Sequence, residues 1–250
     1  MDFERKLSLL KNKKEVDYQQ LNRWLETFLK YVSLEGTNIE QSYPNIKRGS
    51  ILLVNFGYRV HSEFRYNHYA VALNSSPKKN GKVTVIPLTS KEHPNQLPLG
   101  HELGERLEDL IVKKERSLFW KPYRELASKV FEETGVRFFP PAIGGYNTVY
   151  PSCTSFICKI KETLVKDSLL HKDADTILSD LKIFKAFIKK SPNLFKSSYL
   201  RIEDITTISK VRILLPKNTN HPLYRLRLSN TTLDKLDNEI IRLYTGKQTY

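Results

Sequence analysis

The chain has 250 residues, which is enough to bury one large hydrophobic core or two modest ones. Its 41 Lys and Arg residues against 27 Asp and Glu residues leave a formal net charge of +14 at pH 7, which indicates a nucleic acid partner, an acidic protein partner or a solvated lysine-rich surface. No apolar run approaches the length of a membrane span and the only cysteines are Cys153 and Cys158, so we expect a soluble cytoplasmic protein without a disulfide framework.

Residues 1–45 form the first predicted region, a helical extension followed by a polar linker. Apolar residues recur at three- and four-residue steps up to Val32, which is typical of an amphipathic helix from Phe3 onward, and Gly36 is a stop signal. We expect the apolar stripe to pack on the chain's own core or on a second copy. A site for a separate partner is the alternative.

The next region, residues 46–91, predicts a small sheet. Asn80 and Gly81 both tolerate positive φ, so they predict the turn of a hairpin between the second and third strands. The strands themselves are short runs of β-branched and aliphatic residues bounded by turn residues. We expect them at Ser50–Phe56, Tyr69–Leu73 and Val83–Leu88.

Positive charge is concentrated on this predicted sheet. Residues 47–91 contain eight basic residues and a single acidic one, Glu63, whereas residues 1–45 contain seven of each sign. A sheet and loop that bind RNA would carry this distribution. The polar residues flank the strands in two places, the loop from Gly57 to His68 and the exit of the third strand at Thr89–Lys91.

Together these two places contain the groups that metal-free cleavage of single-stranded RNA requires: a base, an acid and donors for the phosphate. His68 exchanges a proton near neutral pH, and Arg65 can hold a phosphate through two hydrogen bonds. The hydroxyls of Thr89 and Ser90 can donate to phosphate oxygens, while Glu63 either orients a basic neighbour or acts as the base. Each residue also has a simpler interpretation. His68 could be an ordinary surface histidine, Arg65 a general phosphate contact and Thr89 the end of a strand.

Aromatic residues interleave with arginines in the same region, a composition that suits stacking on unpaired bases. Aromatic residues of strands are also typical of a hydrophobic core, and the sequence leaves both alternatives open. The interleaved residues are Tyr58, Arg59, Phe64, Arg65, Tyr66 and Tyr69.

Residues 92–198 change in character and predict a mostly helical insertion of 107 residues. A loop at residues 93–98 opens it, and Gly135 is expected to end one of its helices as a C-cap glycine. The helices are expected at Glu102–Lys114, Leu118–Thr134, Ser155–Lys166 and Ala174–Lys190.

The last region, residues 199–250, returns to strand and ends in a helix. Tyr199–Leu215 is dense in Ile, Val and Thr and predicts one strand. The helix is expected from Thr231 to Tyr244, with Ser229 or Asn230 as its N-cap.

Two segments of the chain resemble the PemK/MazF toxins of bacterial toxin–antitoxin modules. The first consists of R-G-S-I-L-L-V-N-F-G, then S-E, a basic residue, Y-A-V-A-L-N and V-I-P-L-T-S, within Lys47–Lys91. The second is R-I-E-D-I-T-T-I-S-K-V-R-I-L from Arg201 onward, followed by the C-terminal helix. The two segments occur in the expected order, and more than half of the chain lies outside them.

The resemblance implies an α+β fold: a small SH3-like β-barrel from residues 46–91 and 199–250, with the N-terminal helix and the helical insertion 92–198 added to it. It also implies a metal-independent endoribonuclease that cuts single-stranded RNA and leaves a 2′,3′-cyclic phosphate, without a cofactor. The implied partners are RNA, an acidic antitoxin protein, DNA in complex with that antitoxin and a second copy of the chain. No membrane is implied.

The family's assisting threonine falls on Thr89, but the family's arginine does not match, because His68 stands in its place. Either His68 has taken over proton transfer while Arg65 binds the phosphate, or the site is altered and inactive. The predicted catalytic residues are His68, Arg65, Thr89 and Glu63. The predicted contacts to nucleic acid are Arg59, Tyr66, Ser90, Lys91 and Lys210, the last standing where the family has a basic residue.

Two other classes of function compete with this prediction. One is a nucleic-acid-binding or regulatory module that keeps the fold without the chemistry. The other is a toxin that inhibits a protein, as in the related gyrase inhibitors, with the C-terminal helix carrying the function.

Overall fold

The computed structural model describes residues 3–11, 17–37, 39–58, 63–115, 121–137, 155, 157–164, 166 and 168–246. By its internal contacts the chain divides into two compact units. The first unit comprises Met1–Leu103 with Ser197–Tyr250, and the second comprises Gly104–Lys196. The N-terminal region therefore belongs to the same unit as the sheet.

The first unit contains an open antiparallel sheet, in which seven strands are found among the described residues. The strands pair in the order β4-β5-β3-β2-β1-β7, and β6 also pairs with β3. The predicted α+β class is confirmed. The strands are β1 (Ile51–Asn55), β2 (Asn67–Ala72), β3 (Lys82–Thr89), β4 (Leu97–Gly100), β5 (Ser198–Leu200), β6 (Thr206–Ser209) and β7 (Ile213–Leu215).

The first three strands agree with the sequence prediction to within two residues at either end, because each is a β-branched run bounded by turn residues. They form two successive antiparallel pairs, with Ile51 opposite Val71 and Val71 opposite Ile86. The turn of the second pair is not at Asn80-Gly81 as predicted. The chain turns at Pro77–Asn80 instead, where the Asn80 N–H donates to the Pro77 carbonyl at 2.9 Å.

Residues 199–215 do not form the single strand that the sequence predicts. Two 3-10 turns, Ile202–Asp204 and Lys210–Arg212, divide the segment into β5, β6 and β7. The divisions arise because the segment changes partner: β5 and β6 pair with different parts of β3, and β7 pairs with β1. A run of β-branched residues does not reveal such a change of partner.

A further strand, β4, lies where the sequence predicts a loop. The sequence does not predict this strand because it contains Pro98 and Gly100. Proline is confined to edge strands, and glycine weakens the interior of a strand. Here β4 is an edge strand that pairs only with β5.

One face of the sheet forms the hydrophobic core of the first unit. Alternation along the strands places side chains of β1, β2 and β3 on that face, and β6 and β7 add one each. The buried cluster consists of Tyr43, Ile46, Leu52, Val54, Phe56, Ala70, Ala72, Val83, Val85, Ile208 and Ile213, with Phe64 packed partly buried against it.

The helix predictions are confirmed in part. The end at Gly135 and the N-cap at Ser229 are as predicted, whereas the predicted N-terminal helix is interrupted at Asp17 and the helix predicted from Ala174 begins five residues earlier, at Leu169. The longer helices are α1 (Phe3–Lys11), α2 (Tyr18–Val32), α3 (Glu102–Glu115), α4 (Lys121–Thr134), α5 (Leu169–Lys190) and α6 (Asn230–Thr245). The Ser229 hydroxyl caps α6 by accepting from the Thr232 N–H, and Gly135 N–H donates to the Phe131 carbonyl at the end of α4. No described helix is long and apolar enough to cross a membrane.

The apolar stripe of α2 packs only in part on the first unit. The Trp24 ring lies against the backbone of Gly57, so closely that a Cβ at that glycine would stand 2.7 Å from it. The Arg212 guanidinium also lies over the Trp24 ring, 5.4 Å from a ring centre. Phe28 and Leu29 remain 48% and 66% exposed, so α2 covers the end of β1 and leaves half of its stripe uncovered.

Candidate functional site

Three polar residues, His68, Thr89 and Tyr199, lie at the same end of the sheet. Ala70 of β2 pairs with Pro87 of β3, the last recorded pair of these two strands, and His68 lies two residues before Ala70 on the same face of β2. Thr89 in turn pairs with Tyr199 of β5. Directly opposed residues share a face of the sheet and lie about 4.5–5.5 Å apart. Thr89 and Tyr199 are therefore neighbours, and His68 lies at the same end of the sheet. We call these three residues the polar row.

The imidazole of His68 is half buried in this row. The Phe64 ring packs on it with 4.3 Å between the ring centres. Burial is the main cause that lowers the pKa of His68 below its usual 6.5, and the positive charge of Arg201 lowers it further. A hydrogen bond to the backbone of Arg65 acts in the opposite direction on this pKa. The neutral imidazole, which can accept a proton, is thus favoured near pH 7.

Arg201 is the residue of this site that sequence reasoning missed as a functional group. Its backbone N–H donates to the Pro87 carbonyl at 3.0 Å, so it follows Tyr199 along the edge of β3. The guanidinium lies over the Phe64 ring, 5.3 Å from the centre, and its Nε is 2.6 Å from Asp204 Oδ2. The only sequence signal was its position at the start of the second segment that resembles the toxins.

At the exit of β3 the structure places hydroxyl groups beside the row. Thr89 Oγ1 accepts a hydrogen bond from the Lys91 backbone N–H at 3.1 Å, and a hydroxyl that accepts still carries its own O–H donor. Ser90 and Lys91 are exposed. Tyr199 Oη donates to Glu92 Oε2 across a long 3.4 Å. Thr89 and Tyr199 are thus both hydrogen-bonded to residues of the turn after β3.

Arg65 lies in a different environment from that of Arg201. Its guanidinium carbon is 5.7 Å from the Tyr58 ring centre and 5.9 Å from the Tyr66 ring centre. The two rings meet edge to face with 6.3 Å between their centres. The aromatic residues of this loop therefore divide: Phe64 joins the core, whereas Tyr66 is 37% exposed beside an arginine.

The structure says little about two of the predicted loop residues, Glu63 and Arg59. Glu63 is exposed at the start of the described part of the loop. Arg59 lies outside the described residues, so its predicted contact with nucleic acid stays a prediction. Within the described ranges, no group of three or more His, Cys, Asp or Glu side chains could hold a metal ion.

Lys210 is placed where it cannot serve as a surface contact to nucleic acid. Its side chain is fully buried, in contrast to the exposure that the sequence prediction required. The ammonium donates to the Pro77 carbonyl at 2.6 Å and to the Ser76 carbonyl at 3.3 Å. A buried ammonium must be satisfied by such acceptors, so we assign Lys210 to holding the connection between β2 and β3.

Comparison with models of known protein families found none that matches the chain. Comparison with curated proteins found no similar sequence either.

Proposed function

We propose that the first unit is a metal-independent endoribonuclease of the PemK/MazF toxin type, which cleaves single-stranded RNA by attack of the 2′-hydroxyl. The observation that supports this proposal most directly is the row of His68, Thr89 and Tyr199 with Arg201 beside it. A base, hydroxyl donors and a cation then lie at one end of a sheet, and water serves as the acid that the reaction also requires.

In the proposed mechanism His68 takes the proton of the 2′-hydroxyl. Its lowered pKa keeps the imidazole neutral near pH 7 and ready to accept that proton. The 2′-oxygen then attacks phosphorus, the bond to the 5′-oxygen breaks, and the leaving oxygen takes a proton from water. Arg201 and the Thr89 hydroxyl stabilise the negative charge that develops on the phosphate.

We also propose that the open sheet curls into an SH3-like barrel. Ser209 ends β6 on one side of β3, and Ile213 begins β7 on the far side of β1. Four strand spacings separate β6 from β7, or about 19 Å in a flat sheet at about 4.8 Å each. The chain from Ser209 to Ile213 can span only about 14 Å at about 3.5 Å per residue. This difference between the distance to be spanned and the reach of the chain supports a curled sheet.

The partners of this proposal are single-stranded RNA, an acidic antitoxin protein, DNA bound together with that antitoxin, and a second copy of the chain. The net charge of +14 supports acidic partners of both kinds. A non-catalytic nucleic-acid-binding module is the second candidate. The observation that favours it is the packing of Phe64 on His68, which restricts access to the imidazole.

The test is cleavage of an end-labelled single-stranded RNA by the full chain in the presence of EDTA. We expect cutting, with 2′,3′-cyclic phosphate at the new 3′ ends. We expect His68→Ala to lower the rate about 100- to 10,000-fold, the usual contribution of a general base. The matched control is His101→Ala, which removes an exposed histidine of the same unit and should cut like wild type.

Two outcomes would count against the proposal in different ways. If the folded wild-type chain binds RNA without cutting it, the non-catalytic module is the better account. If His68→Ala cuts as fast as His101→Ala, the enzyme stands but the assignment of the base is wrong.

A further inference from the structure

The mechanism above leaves unused a partly exposed cluster in the loop between β1 and β2. It consists of Tyr58, Arg65 and Tyr66, which we call the aromatic platform. The Arg65 guanidinium lies within 6 Å of both ring centres, at 5.7 Å and 5.9 Å, and the Tyr66 ring is 37% exposed. Exposed aromatic rings next to an arginine are the groups on which unpaired nucleobases stack.

The backbone holds Tyr66 in a conformation that tyrosine rarely adopts. Its φ is +70°, in the left-handed region that favours glycine and asparagine. Two hydrogen bonds of 2.8 Å maintain it, one from the Phe56 N–H to the Tyr66 carbonyl and one from the Tyr66 N–H to the Gly57 carbonyl. A tyrosine kept at a strained position beside a candidate site is an outlier that motivates a functional hypothesis for its ring.

The same loop connects the platform to the candidate base. Arg65 contributes its guanidinium to the platform, and its backbone is hydrogen-bonded to the His68 imidazole. The two sites are therefore held together by one residue. A nucleotide whose base lies on the platform would have its phosphate close to His68.

We propose that the aromatic platform binds one unpaired base of single-stranded RNA, next to the phosphate that is held at His68 and Arg201. The position of that phosphate rests on the proposed function, whereas the stacking does not. Stacking reads the face of a base and makes no contact with the 2′-hydroxyl, so the platform should bind a deoxyribose strand of the same sequence as well. Arg65 then supports a base and does not hold the phosphate.

The experiment measures binding of an uncleavable probe, a fluorescein-labelled single-stranded DNA of about ten nucleotides, to the full chain by anisotropy. We expect Tyr66→Asn to weaken binding about 5- to 100-fold, which is the usual range for loss of one stacked base. Asparagine tolerates positive φ, so this variant removes the ring without new strain. Tyr66→Phe keeps the ring and should bind like wild type.

Two further variants guard against an indirect effect. Tyr58→Ala removes the other ring of the platform and should also weaken binding. Phe28→Ala removes a ring that is 48% exposed elsewhere in the same unit, and it should have no effect. Because stacking involves no phosphate, Tyr66→Asn should leave the slope of log affinity against log salt concentration unchanged.

The outcomes separate this inference from the proposed function. Folded Tyr66→Asn and Tyr58→Ala variants that bind the probe as tightly as Phe28→Ala would overturn the platform. A wild-type chain that fails to bind the probe would also overturn it. Loss of binding in both ring variants, together with a wild-type chain that never cuts RNA, would support the platform and overturn only the enzyme.

Discussion

The Phe64 ring packs on the His68 imidazole with 4.3 Å between the ring centres and contributes to the burial of the candidate base. It removes the imidazole from water, which disfavours its charged form. Arg201 lies over the same Phe64 ring and adds a positive charge nearby. Both effects lower the pKa of His68, and each can be removed separately.

We predict that an NMR titration will place the pKa of His68 below 6.5. Phe64→Ala should raise this pKa because water regains access to the ring, and Arg201→Gln should raise it because a positive charge is lost. The control is Lys235→Gln, which removes an exposed charge from α6 and should leave the His68 pKa unchanged. If the His68 pKa is the same in both site variants as in wild type, the causes that we assign to its lowering are wrong.

The lowered pKa also fixes the sign of two pH dependences. If His68 is the base, the cleavage rate should rise with pH and level off with an inflection below 6.5. The unfolded chain binds a proton at His68 more readily than the folded chain does. The free energy of unfolding is therefore unaffected by His68 above about pH 6.5 and decreases as the pH falls below that value. Urea unfolding at several pH values would measure this decrease.

A second prediction concerns the contact between Gly57 and Trp24. Gly57→Ala should lower the free energy of unfolding by more than Gly36→Ala does, as measured in urea. Both glycines have similar φ, +85° and +77°, so both variants carry the same backbone strain of about 1–2 kcal/mol. Only at Gly57 does the new Cβ meet a ring, which adds about 1–3 kcal/mol.

The double variant Gly57→Ala with Trp24→Ala tests the cause. In this double variant Gly57→Ala should no longer carry the additional destabilisation, because the Trp24 ring that the new Cβ would meet is absent. Equal destabilisation by Gly57→Ala and Gly36→Ala would show that α2 does not lie against β1 in solution.

A third prediction separates a structural lysine from a nucleic-acid contact. Lys210→Met should destabilise the first unit by about 1–3 kcal/mol, because the Pro77 carbonyl loses its ammonium donor while the Ser76 carbonyl keeps only the Ile46 N–H. Its RNA affinity, measured under conditions where the variant is folded, should equal that of wild type. The control is Lys82→Met, which removes an exposed lysine from the neighbouring strand and should leave stability within about 0.5 kcal/mol. If folded Lys210→Met binds RNA more weakly than wild type, Lys210 does contact nucleic acid, as the sequence predicts.

The fourth prediction is that the first unit folds without residues 104–196. Gly100 of β4 pairs with Ser198 of β5, so the chain leaves and re-enters this unit at neighbouring positions of an antiparallel pair. A Gly/Ser linker of about five residues should therefore replace Gly104–Lys196 and close a hairpin. We expect a single cooperative unfolding transition and retained RNA cleavage. A non-cooperative transition would show that the sheet depends on the second unit.

The sequence alone determined those elements whose signals are local. The strands β1, β2 and β3 were predictable because their β-branched runs end at turn residues, and α6 was predictable from the Ser229 cap. The α+β class follows from these elements. His68 and Thr89 were also recognisable as candidates, since a histidine and a hydroxyl at strand ends need no long-range information.

Only the tertiary structure decided which residues meet. Arg201 and Tyr199 reach the His68 row because β5 pairs with the end of β3, across more than a hundred residues of chain. Burial likewise placed Lys210 in the interior and Tyr66 at the surface. From the sequence alone, a lysine near a strand is expected to be exposed and a tyrosine to be buried. Strand partners and burial depend on the whole packed sheet, and no local pattern of residues encodes either of them.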